Sequence, residues 1–105
     1  MAKPIVNAER YMARFKDLNS AARFAKVSFS LPITESKLYK ENDEYFVTLV
    51  LEPDGENAIY DLRRSGLEYA EELMMNSAEQ THIEETGKCI IKEDALLHLK
   101  DMIAG

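Results

Sequence analysis

Hydrophobic positions change period along this chain, and the changes mark the elements. Ala8, Tyr11, Met12, Phe15 and Leu18 recur at helical spacing, while Tyr11, Ala13 and Phe15 also alternate like one face of a strand. Both readings stay open there. Asp17-Leu18-Asn19-Ser20 supplies N-cap chemistry before Ala21–Ala25, which predicts a short helix. Residues 28–36, with Pro32 inside, read as a connecting loop. Leu38-Tyr39 and Tyr45–Leu51 are aromatic and β-branched runs on either side of Glu41-Asn42-Asp43-Glu44, which predicts an antiparallel hairpin. Pro53-Asp54-Gly55 ends it, with Asp54 placed to cap the next helix.

From Asn57 to about Met75, Ile59, Leu62, Gly66, Tyr69, Ala70 and Leu73 keep spacings of three and four, which predicts one amphipathic helix. Gly66 inside it costs about 1 kcal/mol relative to Ala, so close packing is expected there. Thr81–Glu84 and Lys88–Ile91 flank Glu85-Thr86-Gly87 and predict a second hairpin, with Gly87 free to take positive φ. Residues 93–103 close the chain as a helix with Ala95, Leu96, Leu99 and Met102/Ile103 inward. Lys92 stands where a Ser or Thr cap would serve better. Residues 1–9 read as a tail or linker end and residues 10–105 as one domain.

Composition narrows the class. With 105 residues, 46% of them hydrophobic, the chain can bury one core and disorder is not expected. The longest uncharged apolar run, Tyr45–Leu51, is too short to span a bilayer. Residues 1–10 contain no signal-peptide h-region, and the lone Cys89 forms no internal disulfide, so the expected setting is cytoplasmic. Net charge is −6, unevenly placed: residues 1–40 carry eight bases and three acids, residues 41–105 five bases and sixteen acids. That balance argues against a general nucleic-acid role, although the basic first 40 residues keep it as a minor reading.

Reactive chemistry is sparse. The four glycines are isolated, so there is no phosphate-cradling loop. His82, His98 and one Cys do not make a zinc set, and neither a metal nor a cofactor is expected. Cys89 between Lys88 and Ile90 reads as a buried inert thiol rather than a nucleophile. Glu71-Glu72 and Glu84-Glu85 read as exposed acids rather than an acid/base pair, since their neighbours are polar. Met74-Met75 fits core or an adaptable partner surface. An enzyme is not expected.

Two stretches resemble one family. Leu38-Tyr39, Glu-Asn-Asp-Glu and Tyr45-Phe46-Val47 resemble the hairpin of the carboxy-terminal domain of MecA adaptors. Glu84-Glu85-Thr86-Gly87-Lys88-Cys89-Ile90-Ile91, followed by Ala95-Leu96 and Leu99-Lys100, is similar to that domain's closing pattern. Leu67-Glu68-Tyr69-Ala70 echoes a helix end between them, and Arg14-Phe15 with Asp17 is a looser match. Thr86, in place of the usual aromatic, and Lys92 depart from the pattern.

The resemblance implies an α+β fold in the order β-α-β-β-α-β-β-α, with a strand over Tyr11–Phe15. It also implies docking on the AAA+ unfoldase ClpC and promotion of its assembly for regulated proteolysis. Substrate capture, in the family, belongs to a separate amino-terminal domain absent from these residues. Glu68, Glu71, Glu72, Glu84 and Glu85 are the implied partner-facing acids, Glu71 and Glu85 foremost. The alternative is a standalone interaction module, or a homo-oligomer formed through the apolar hairpin.

Overall fold

A two-residue turn organises the sheet. In the computed structural model, β2 (Ile33–Glu41) and β3 (Glu44–Leu51) are joined by Asn42 and Asp43, with φ of 52° and 65°. Positive φ at both central residues is what a tight hairpin turn needs, and Asn and Asp accept it at low cost. The structure describes residues 9–29, 31, 33–51 and 56–103, with the side chains of 56–59 and 65–67 left out. The predicted tail, the Pro53–Gly55 stop with its Asp54 cap, Pro32, Ile59 and the packing at Gly66 fall outside that description.

The ambiguous segment at the start is strand β1 (Glu9–Phe15). It pairs antiparallel with β3 from Glu9↔Leu51 to Phe15↔Tyr45. Tyr11, Ala13 and Phe15 enter one core while Met12 enters the other. Two-sided burial is why alternation and helical spacing looked alike here. Asp17 caps α1 (Leu18–Ser28) by accepting from the Ser20 amide at 2.7 Å. That helix is longer than predicted, and the expected loop of residues 28–36 shrinks because β2 already begins at Ile33.

The second half of the chain departs from the expected elements in two places. The helix predicted to reach Met75 is α2 (Glu56–Tyr69), after which Glu72–Met75 form strand β4. β4 pairs with β1 from Tyr11↔Met75 to Arg14↔Glu72. Leu73 then packs with the helix-side core and Met74 with the opposite one, a division that only an extended backbone produces. The predicted second hairpin is also wrong. Thr81–Glu84 lie in helix α3 (Ala78–Thr86), capped by Ser77, whose side chain accepts from the Gln80 amide.

Gly87 follows α3 with φ −69°, so it is not there for positive φ. It is there for space, since a Cβ would stand 2.7 Å from the Ile83 carbonyl oxygen. β5 (Lys88–Ile91) is a strand as predicted, but its partner is β2. Asp94 caps the last helix, α4 (Ala95–Met102), so the cap missed at Lys92 lies two residues later. Ala95, Leu96 and Leu99 face inward as expected, whereas Met102 is exposed.

The described strands make one antiparallel sheet in the order β4-β1-β3-β2-β5. The fold class is α+β, as expected. Helices α1, α2 and α4 contribute to the larger core with Phe15, Phe24, Leu38, Leu49, Leu62 and Leu99. The Phe15 and Phe24 rings sit 5.2 Å apart, and small residues (Ala21, Ala22, Ala25, Ala95) let α1 and α4 approach. On the other face α3 adds Ile83 to Met12, Tyr39, Phe46 and Met74. Because β3 is central, Phe46, Val47 and Leu49 of the hairpin are buried within the domain. No apolar surface remains on them for a homo-oligomer.

Candidate docking surface

The acids singled out in the sequence emerge on three elements. Glu68 is exposed near the end of α2, Glu71 is exposed just before β4 and Glu72 at its start, and Glu84 and Glu85 lie on α3. Register explains what they meet. β1 alternates, so Arg10 and Arg14 share the sheet face that carries Met12, the face covered by α3. Arg14 is directly opposite Glu72 and bonds it at 2.9 Å. The same guanidinium lies 3.7 Å from Glu79 on α3 and 3.9 Å from Glu44 on β3. Arg10 reaches Glu84 at 3.4 Å, and Lys16 reaches Glu71 at 3.7 Å.

Three of the five candidates, Glu71, Glu72 and Glu84, are therefore engaged by bases of the same chain. Glu68 and Glu85 make no ion pair among the described residues. Glu72 is brought beside Glu79 through Arg14, whereas Glu84 sits at the other arginine of β1. Exposed pairs of this kind contribute roughly 0.2–1 kcal/mol each. A cation from outside can therefore compete for these carboxylates at small cost.

Glu44 and Glu79 belong to the same surface and were missed. Ser77 followed at three residues by Gln80, with Glu79 in the first turn, is a helix-start signature that identifies α3 and its outward acid. Here Gln80 turns inward instead, and its Nε2 donates to the Arg10 carbonyl at 3.4 Å. Glu44 carried no signal beyond its charge.

Among the described residues, the two histidines and the thiol lie apart from one another. His82 Nε2 is 3.2 Å from Glu41 Oε2 on the exposed side of α3, and Thr86 donates to the His82 carbonyl at 2.8 Å. His98 Nδ1 contacts the Asp94 carbonyl oxygen at 2.9 Å. Cys89 is half-buried against the α3-side core. Burial raises the Tyr11 phenol above its ordinary value of 10.0, helped by its hydrogen bond to Glu9. Burial does the same for Tyr39, helped by neighbouring Cys89. Both phenols are therefore neutral at pH 7. An open cleft of about 630 Å³ is lined, among the described residues, by Tyr11, Arg63, Glu71, Glu72, Leu73 and Met75, a mixed polar and apolar surface. Among the described residues no three His, Cys, Asp or Glu side chains are grouped to hold a metal ion.

Nor is any helix, among the described residues, long and apolar enough to cross a membrane. These features define a small α+β domain built like one already seen: the C-terminal domain of MecA. That structure superposes with a TM-score of 0.71 over 91% of this chain and 99% of that one, at 23% identity. The sequence carries the assignment further. The family model described as "Negative regulator of genetic competence (MecA)" matches residues 3–99, and the chain belongs to the MecA family.

The adapter protein MecA of Streptococcus gordonii is 29% identical over 92 residues, which cover 86% of this chain and 36% of that protein. The chain thus spans about a third of the length of the curated relative it matches. A chain in a cryo-EM structure of the MecA–ClpC complex matches with a TM-score of 0.70 at 25% identity, over 94% of this chain and 100% of that one.

Proposed function

We propose that this domain docks on a ClpC-type AAA+ unfoldase and promotes its assembly and activation for regulated proteolysis in the cytoplasm, without catalysing a reaction itself. The observation that carries this reading is the likeness to a chain of the MecA–ClpC complex across nearly the whole domain. The docking unit on this reading is residues 10–105, which β1 enters one residue earlier. Capture of substrates would belong to the part of such proteins that this chain does not match.

Physical chemistry supports an acidic contact. The partner-facing residues we assign are Glu68, Glu71, Glu72, Glu84 and Glu85, meeting Arg or Lys of the unfoldase. Glu85 is a leading member, being exposed and, like Glu68, without an ion-pair partner among the described residues. Glu71 follows, since its bond to the exposed Lys16 is long at 3.7 Å. Such charges set association rate and partner choice more than raw affinity.

The test is stimulation of ClpC ATPase by the purified chain and by the variant Glu71→Lys with Glu85→Lys. Stimulation by the parent and a loss of roughly tenfold in apparent affinity for the variant are expected, from two reversed contacts of up to ~1 kcal/mol each. Equal affinity of parent and variant removes the residue assignment. No stimulation and no binding by the parent removes the function.

A further inference from the structure

Helix α3 holds its place differently from the other described helices. Alone on its face of the sheet among the described elements, it buries only Gln80 and Ile83, whereas α1 buries five residues. Ile83 is its single apolar anchor, set against Met12, Tyr39, Phe46 and Met74. Gln80 is 4% exposed, yet it makes one long bond of 3.4 Å through Nε2, and its Oε1 has no partner. The rest of the grip is two ion pairs and one hydrogen-bond contact. Glu79 meets Arg14 at 3.7 Å, Glu84 meets Arg10 at 3.4 Å, and His82 meets Glu41 at 3.2 Å.

The helix is bounded by two special backbone positions. Asn76 stands before it at φ 55°, and Gly87 after it admits no Cβ beside the Ile83 carbonyl. Beneath it lies an apolar patch together with the half-buried thiol of Cys89.

We propose that α3 is an electrostatically latched flap. It opens as one unit while the rest of the sheet stays folded, and the Glu79–Arg14 and Glu84–Arg10 ion pairs add to the hold of Ile83 in the closed state. Elements with few buried apolar contacts open locally at far lower free energy than the core. Opening bares Met12, Phe46 and Met74 and frees Cys89. Any dense positive charge laid against Glu79 and Glu84 competes with Arg10 and Arg14 for the same carboxylates. The proposal does not depend on which partner the domain binds, because ionic strength alone can work the latch.

The experiment is alkylation of Cys89 by neutral iodoacetamide in the full chain at pH 7.5, from 10 mM to 1 M KCl. Rates are normalised to the urea-unfolded chain at the same salt. The Debye length falls from about 30 to about 3 Å over this range, so the normalised rate should rise about tenfold, roughly threefold for each of the two screened ion pairs. The double variant Glu79→Gln with Glu84→Gln should label about tenfold faster at low salt and show little of the salt response.

Amide exchange separates local from global opening. Ile83 and Thr86 amides should follow the labelling while Val47 and Leu49 amides stay protected. A salt-independent rate in the parent overturns the proposal, as does a double variant that labels like the parent. So does loss of Val47 and Leu49 protection in step with labelling, since the thiol would then report global unfolding.

Discussion

Ser36 is fully buried in β2 and does two jobs across a gap of about sixty residues. Its Oγ donates to Asp94 Oδ1 at 2.9 Å and accepts from the Leu96 amide at 2.9 Å. Asp94 in turn accepts from the Leu97 amide at 3.2 Å, so the first turn of α4 is capped jointly by its own aspartate and by a serine from the sheet. Ser36→Ala removes the hydroxyl and leaves the Leu96 N–H buried without an acceptor. A stranded buried donor costs about 1–3 kcal/mol, so the expected destabilisation is about 2 kcal/mol. For a domain of this size that lowers Tm by roughly 10 °C and moves the urea midpoint by roughly 1–2 M at unchanged m-value. Thr34→Ala is the control. Its hydroxyl donates to the Val50 carbonyl at 3.3 Å on the exposed side of the same strand, and its loss should stay within about 0.5 kcal/mol. Urea titrations of the three proteins at one pH decide the matter. If Ser36→Ala shifts stability no more than Thr34→Ala, the shared cap is not holding α4 to the sheet.

Other substitutions probe separate parts of the fold. Gly87→Ala forces a Cβ to 2.7 Å from the Ile83 carbonyl oxygen and should destabilise by about 1–3 kcal/mol in chemical denaturation. Leu99→Ala empties a fully buried site between α4 and the larger core, with an expected loss of about 2–5 kcal/mol by the same assay. Hydrogen bonds from Ser20 hold the Asp17 carboxyl below its ordinary 3.8, so its contribution is fully present above that value and is lost as pH falls through the lower folded value. Asp17→Asn keeps a capping oxygen but cannot titrate. Acid titration of stability should therefore be flatter below pH 3.8 for the variant than for the parent.

The parts of the fold that were legible in the sequence are those whose cause is local. The β2–β3 hairpin could be read because Asn42 and Asp43 are themselves the residues that favour the turn. The capping of α1 and the inward face of α4 could be read for similar reasons. What escaped depends on distant pairing. Glu72–Met75 continue the helical spacing of α2, and only the free edge of β1 turns them into a strand. Thr81–Glu84 are rich enough in β-formers to suggest a strand, yet Ser77 caps a helix that Ile83 anchors on the sheet.

The uneven charge has a similar explanation. Arg10, Arg14 and Lys16 come from the basic half of the chain and Glu71, Glu72, Glu79 and Glu84 from the acidic half. The sheet interleaves them, so much of the split is answered within the molecule. The candidate acids could be named from the sequence, but their partners could not, because strand register decides which arginine each one meets.

Calorimetric titration of the purified chain into purified ClpC, at 50 and 300 mM KCl, bears most directly on the proposed role. Saturable binding that weakens at the higher salt is expected, as contacts between exposed carboxylates and cations require. Absence of binding heat at either salt, with the unfoldase active and the chain folded, would contradict that role.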